Sequence, residues 1–179
     1  MGNINQDKKI TVQITEEFKQ TQVPLPKLEK LIKSVCSRFA EREIKNTKYE
    51  ISIVVVGDSQ IRELNRRFLN RRANTDCLSF DLSDDRKLAG TAGLTKMYEL
   101  VVNGEMATRQ AKQRGHSSEA ELALYITHSL LHNLGFDDST KTGAKKMHDA
   151  EDEILQQFGY GLVYNNDVKT KRRESTGDS

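Results

Sequence analysis

At 179 residues the chain is long enough for one core that removes roughly two-thirds of the unfolded surface from water, and 36% apolar with 30% charged residues keeps it out of the disordered class. Its 28 basic and 26 acidic residues leave a formal charge of +2, which excludes recruitment of a polyanion by whole-molecule charge and leaves that task to a local patch. The opening MGNINQDKKITVQ carries no apolar segment, Gln6 stands where a myristoylation motif wants Ser or Thr, and no apolar run reaches about 18 residues, so the expectation is a cytoplasmic protein without a membrane partner.

ITVQIT (10–15) alternates with period two and predicts a strand; after QVPLP, residues 27–42 space Leu28, Leu31, Ile32, Val35 and Phe39 as a helix does. YEISIVVVGD (49–58) predicts a β-branched strand, followed by a short helix through Ile61, Leu64, Phe68 and Leu69 with Asp58 or Ser59 as its cap. DCLSFDL (76–82) and YELVVNG (98–104) predict two more strands, joined by a loop of Gly, Ala, Thr and Lys that is expected to be mobile. From Ser117 the positions of Leu122, Leu124, Tyr125, Ile126, Leu130, Leu131 and Leu134 predict a mostly buried helix, with Glu119 and Glu121 at its positive end and Gly135 as its left-handed stop. A last helix over about 141–157 puts Met147, Ala150, Ile154 and Leu155 on one face, and NNDVKTKRRESTGDS beyond Tyr164 has almost nothing to bury. The expectation is one α+β domain over residues 1–164 and a disordered polar tail over 165–179. Cys36 and Cys77 fall in a predicted helix and strand, which points to reduced thiols and away from a disulfide framework or a cysteine metal site.

Chemistry concentrates in THSLLHNLGFDDS (127–139). Residues four apart on a helix differ by about 40° around its axis, so His128 and His132 share a face and can reach one ion. A catalytic Zn²⁺ needs a third protein ligand and an open fourth position. A left-handed Gly135 turns the chain back toward that face, which makes Asp138 the first candidate and Asp137 the second. A zinc peptidase would place Glu directly after the first histidine; Ser129 stands there, which argues against peptidase chemistry. His116 and His148 read as surface or capping residues, with a place bordering the site as the alternative.

These residues resemble the YbeY family of metal-dependent endoribonucleases of ribosomal RNA maturation, whose helix reads H-G-x-L-H-L-x-G-Y-D-H; here the match is HSLLHNLGFDD, from His128 to Asp138. The likeness extends through ISIVVVGDSQIRELNRRF, TDCLSF, ELVVNGE and MHDAEDEIL and covers about residues 45–160. It implies a zincin-like α+β domain with a mixed sheet of about four strands, one divalent ion, foremost zinc, and single-stranded RNA as substrate. Ribosomal RNA and ribosomal proteins are the implied partners, and DNA is not expected. The two histidine ligands carry over to His128 and His132, and the third, a histidine in the family, to Asp138. Two nitrogens and a carboxylate remain a zinc environment, though a harder one. The family's arginine four residues after Asn65 is replaced by Leu69, and its glycine after the first histidine by Ser129. Arg71 and Arg72, with Arg66 and Arg67 before them, are the cations that could take over phosphate contact in place of that arginine.

Phosphodiester hydrolysis needs an activated water or 2′-hydroxyl and neutralisation of charge on the phosphoryl oxygens, and one ion supplies both. No side chain stands out in the sequence as a general base. The rival readings are a non-catalytic RNA- or ribosome-binding module whose metal only pins the helix end, and a hydrolase on another substrate.

Overall fold

The computed structural model describes residues 9–21, 24–39, 47–84 and 94–164. Strand β1 (Ile10–Glu16) is followed by helix α1 (Leu25–Phe39), strand β2 (Lys48–Val56), helix α2 (Asp58–Leu69), strands β3 (Cys77–Asp81) and β4 (Thr95–Asn103), and helices α3 (Gly104–Arg114), α4 (Ser118–Asn133) and α5 (Lys141–Gln157). The four strands form one mixed sheet in the order β1-β2-β4-β3, with β1, β2 and β4 parallel and β3 antiparallel at the edge, so the α+β expectation holds. Of the loop expected to be mobile, between 82 and 98, residues 85–93 lie outside the described residues and Thr95–Met97 belong to β4, paired with Lys48–Glu50 of β2; the expected tail, 165–179, also lies outside the described residues.

Alternation along the strands divides the apolar residues between the two sheet faces. Ile51, Ile53 and Val55 of β2 and Tyr98, Leu100 and Val102 of β4 face the main core, which α1, α4 and α5 complete. Val56, Val101 and Leu78 face the other way and are covered by Ile61 of α2. In-register pairs such as Ile53 with Leu100 and Ile14 with Ile53 fix which face each side chain takes, because a slip of one residue would turn the apolar set to water.

Two differences from the sequence reading have local causes. Helix α3 was not predicted: GEMATRQAKQR buries only the small residues Gly104, Ala107 and Ala111, too weak an apolar stripe to read, yet the alanines let α3 lie close against α4. The cap of α2 is Gly57, not Asp58 or Ser59; the Gly57 N–H donates to Gln60 Oε1 at 3.2 Å. Asp58 instead accepts from Asn103 Nδ2 at 2.8 Å and Arg109 Nη1 at 3.0 Å, and these bonds outweigh its desolvation and hold its carboxyl below the usual range. Asn103 also donates to the Thr75 carbonyl and accepts from the Met106 N–H, so one buried amide joins α2, the 74–76 segment and α3. Both cysteines are free.

Candidate metal centre

Helix α4 is buried from Ala120 to Thr127, and near its C-terminal end one face, bearing His128 and His132, reaches the surface while Ser129, Leu130 and Leu131 stay buried. There the His128 and His132 side chains are 22% and 34% exposed, which leaves both reachable from water while their rings are held by packing. Their Nε2 atoms lie 3.1 Å apart. Asp138 Oδ2 stands 3.8 Å from His132 Nε2 and 4.0 Å from His128 Nε2. The nearest point equidistant from three atoms separated by 3.1, 3.8 and 4.0 Å, in their plane, lies about 2.1 Å from each. Zinc takes imidazole nitrogen at about 2.0–2.1 Å and carboxylate oxygen at about 2.0–2.2 Å, so the donor set fits the ion in distance as well as in chemistry.

The turn after α4 explains how the third group arrives. The Phe136 N–H donates to the Leu131 carbonyl and the Gly135 N–H to that of His132, the paired bonds that end a helix on a left-handed residue, and Gly135 has φ +91°. Phe136 is anchored edge-on against Phe39 at 5.3 Å between centroids. Its carbonyl then lies 3.2 Å from His132 Nδ1. A carbonyl can only accept, so the ring proton sits on Nδ1 and the Nε2 lone pair points at the shared site. Asp137 turns elsewhere: its carboxylate accepts from the Ser139 N–H at 2.9 Å and hydroxyl at 2.8 Å, bonds that hold it below the usual carboxylate range. Of the two aspartates, Asp138 is therefore the one beside the histidines.

His128 is held from behind by a fully buried carboxylate. Its Nδ1 is 2.7 Å from Glu151 Oε1, and Glu151 Oε2 is 2.8 Å from His148 Nδ1, so α5 clamps α4 through one side chain. Burial alone would lower the His128 pKa, but the Glu151 hydrogen bond and charge, with the charges of Asp76 and Asp138, raise it above 6.5. The sequence reading of His116 and His148 as surface or capping residues does not hold: the caps of α4 and α5 are Ser117 and Thr140, while His116 is bonded to buried Glu121 and His148 to buried Glu151.

The arginines are placed differently from the ligand set. Arg66 is tied to Glu63 by bonds of 2.7 and 2.9 Å on the outer face of α2. Arg71 and Arg72 are exposed on the 70–76 segment, whose course is fixed by Asn65 Nδ2 donating to the Ala73 carbonyl at 2.8 Å and by the Asn103 N–H donating to that of Asp76 at 2.8 Å. Leu69 is also exposed. None of these arginines lines the cavity next to His128; the cation that does is Arg114 of α3, which the sequence reading did not single out.

The sequence profile of the family described as endoribonuclease YbeY matches residues 13–159. The chain belongs to that family. The endoribonuclease YbeY of Caldicellulosiruptor bescii is 36% identical over 137 residues, 69% of this chain and 87% of its own length. That of Bacillus thuringiensis is 30% identical over 151 residues, 82% of this chain and 93% of its own. The solution structure of TM1509 from Thermotoga maritima shares the fold, with a TM-score of 0.56 over 94% of this chain and all of that one at 18% identity. In this YbeY chain Ser129 is buried on the sheet side of α4, and its hydroxyl has no hydrogen-bond partner among the described residues.

Proposed function

We propose that this chain cuts single-stranded RNA during ribosomal RNA maturation, with one divalent ion, zinc, held by His128, His132 and Asp138. Family membership carries the reaction class, hydrolysis of RNA phosphodiester bonds. The observation that carries the site is the convergence of three acceptors. With its proton on Nδ1, His132 presents a bare Nε2 3.1 Å from His128 Nε2, and a carboxylate oxygen stands 3.8–4.0 Å from both. Lone pairs brought this close repel unless a cation or a proton sits among them.

When bound, the ion supplies a Lewis acid that lowers the pKa of water and offsets charge on the phosphoryl oxygens. The side chains of the protein do the rest. Glu151 fixes the His128 tautomer by accepting from Nδ1, and the Phe136 carbonyl does the same for His132. Arg71 and Arg72, which form no ion pair among the described residues, are proposed to steady the RNA backbone, with Arg66 as a weaker contributor because Glu63 already holds it. Cytoplasmic residence and ribosomal proteins as partners belong to the same proposal, with residues 1–164 acting as one unit; among the described residues no helix is long and apolar enough to cross a membrane.

The test is bound metal together with cleavage of a short single-stranded RNA by the purified protein and by His132→Ala. The variant should lose both, with kcat/KM falling by more than the roughly 100-fold that outer partners of a ligand command. Stoichiometric metal in the wild type without cleavage in any divalent ion would instead favour the non-catalytic binding module.

A further inference from the structure

A cavity of about 370 Å³ opens beside His128, bounded by the 74–76 segment, α3, α4, α5 and Tyr164. That volume falls in the range of about 300–1,000 Å³ found for small-molecule sites. Of the three candidate ligands His128 lines it, so the cavity and the candidate ion site share that imidazole, with Glu151 on its Nδ1 side, and a nucleotide flanking a phosphate at the ion would lie next to the cavity.

Its lining suits a neutral flat group better than a second phosphate. The one arginine in it, Arg114, is paired with buried Glu121 at 2.7 Å, and Asp76 and Glu151 add two carboxylates, so an anion would meet no net positive charge. Flat surface is supplied by the His148 and Tyr164 rings, stacked at 3.4 Å between centroids and 11° between planes, with Tyr164 exposed. Met106 and Leu124 add apolar contact. Hydrogen-bonding capacity comes from amides: Asn74 Oδ1 accepts from Arg62 Nε at 2.9 Å, which leaves the Asn74 NH₂ as a donor with no partner among the described residues, and Gln110 offers a second amide. Single-stranded bases are recognised by this combination of an aromatic platform and amides on the base edge.

We propose that this cavity receives the base of the nucleotide next to the scissile phosphate, against the Tyr164 ring and with Asn74 donating to an acceptor on the base edge. The inference rests on the endoribonuclease reading above and specifies where that enzyme grips its substrate. Tyr164 and Asn74 would set how tightly one nucleotide is held, without touching the reacting atoms.

The experiment moves a single abasic nucleotide through a short single-stranded RNA and measures cleavage by wild type, Tyr164→Ala, Tyr164→Phe and Asn74→Ala. In the wild type one abasic position should raise KM by about 5- to 150-fold, the span for losing one stacked base. Tyr164→Ala should show a comparable rise on intact RNA and little further change when the abasic nucleotide sits at that position. Tyr164→Phe, which keeps the ring, should stay near wild type, and Asn74→Ala should raise KM about 5-fold. Penalties that add at every position, or a wild type that cleaves with no sensitive position, would overturn the subsite and leave the nuclease intact. A wild type that cleaves no RNA with any divalent ion would overturn the enzyme reading and the subsite with it.

Discussion

Among the described residues two glutamates lie fully buried, Glu121 at the start of α4 and Glu151 in the middle of α5, and each holds a histidine. Glu121 has a permanent cation beside it: Arg114 Nη1 donates at 2.7 Å, with the His116 ring and the Tyr125 hydroxyl on the same carboxylate. Burial, and after it the charge of Glu121, pushes the Tyr125 phenol well up, so that group stays a neutral donor. Among the described residues Glu151 has only His128 and His148 as hydrogen-bond partners, and an imidazole is a cation only when protonated. One end of α4 is thus neutralised by the chain itself. At the other end, Glu151, Asp76 and Asp138 all act on His128, and their charge is balanced by a proton or by an ion. The comparison teaches that a buried carboxylate marks a site only when its own fold withholds the counter-charge.

The largest effects come from removing each charge in turn. Glu121→Gln leaves Arg114 without its ionic partner and should destabilise the fold by about 3 kcal/mol, the low end for breaking a buried pair, because the Arg114 side chain keeps 28% of its surface in water. Metal affinity per folded molecule should not move. Glu151→Gln should do the reverse, weakening zinc binding by about 10- to 100-fold with a smaller loss of stability in denaturant melts. Equal metal affinities in the two variants would break the comparison. A zinc-dependent rise in Tm that survives Glu121→Gln and shrinks in Glu151→Gln at equal zinc concentration would sharpen it.

Two smaller effects concern the groups around His128. Its pKa is raised, so protons compete with the ion at a higher pH than for an ordinary histidine. Zinc affinity should hold above that raised pKa and fall by about tenfold per pH unit below it, read by competition with a chelator. In Glu151→Gln the largest influence raising the pKa is gone and desolvation remains, so the fall should begin at lower pH. Asp138→His should raise zinc affinity by about tenfold if that side chain is the third ligand, because it replaces a hard carboxylate with imidazole. Unchanged metal content in the variant would count against Asp138.

Much of this was legible in the sequence because the signals were local. Alternation in ITVQIT and YEISIVVV, helical spacing from Ser117 and a glycine after Leu134 determine elements within a few residues, and the two histidines follow from helical geometry alone. What stayed hidden depended on tertiary context. Glu151 occupies the apolar stripe of α5 between Met147 and Ile154, and a charge in that stripe was the available signal, but a glutamate is ordinarily read as surface. Glu121 escaped for the same reason, since placement near the positive end of α4 already accounted for it. Arg114 and the cavity depend on α3, whose alanines gave no readable stripe. Asp138 was already the first candidate over Asp137 in the sequence, but the Ser139 hydrogen bonds that turn Asp137 away are not encoded in spacing.

The smallest predicted effect tests whether the ligand turn is held by packing as well as by charge. A Cβ placed on Gly143, in the first turn of α5, would lie 2.1 Å from the Asp137 carbonyl oxygen and 3.0 Å from Thr140 Oγ1. The nearer atom is backbone, so relief cannot come from a side chain swinging away; the 137–140 turn or the start of α5 must move. The carboxylate of Asp138 belongs to that turn, while His128 and His132 belong to α4 and keep their places. Gly143→Ala should therefore weaken zinc binding several-fold while leaving Glu151 and both histidines paired as they are, with the Thr140 cap of α5 loosened. Combined with Asp138→Ala, the substitution should have no further effect on metal affinity, because the group it displaces is already gone. Additive losses would mean that the turn acts on the ion through the histidines, and the division between a rigid α4 pair and a turn-borne third group would fail.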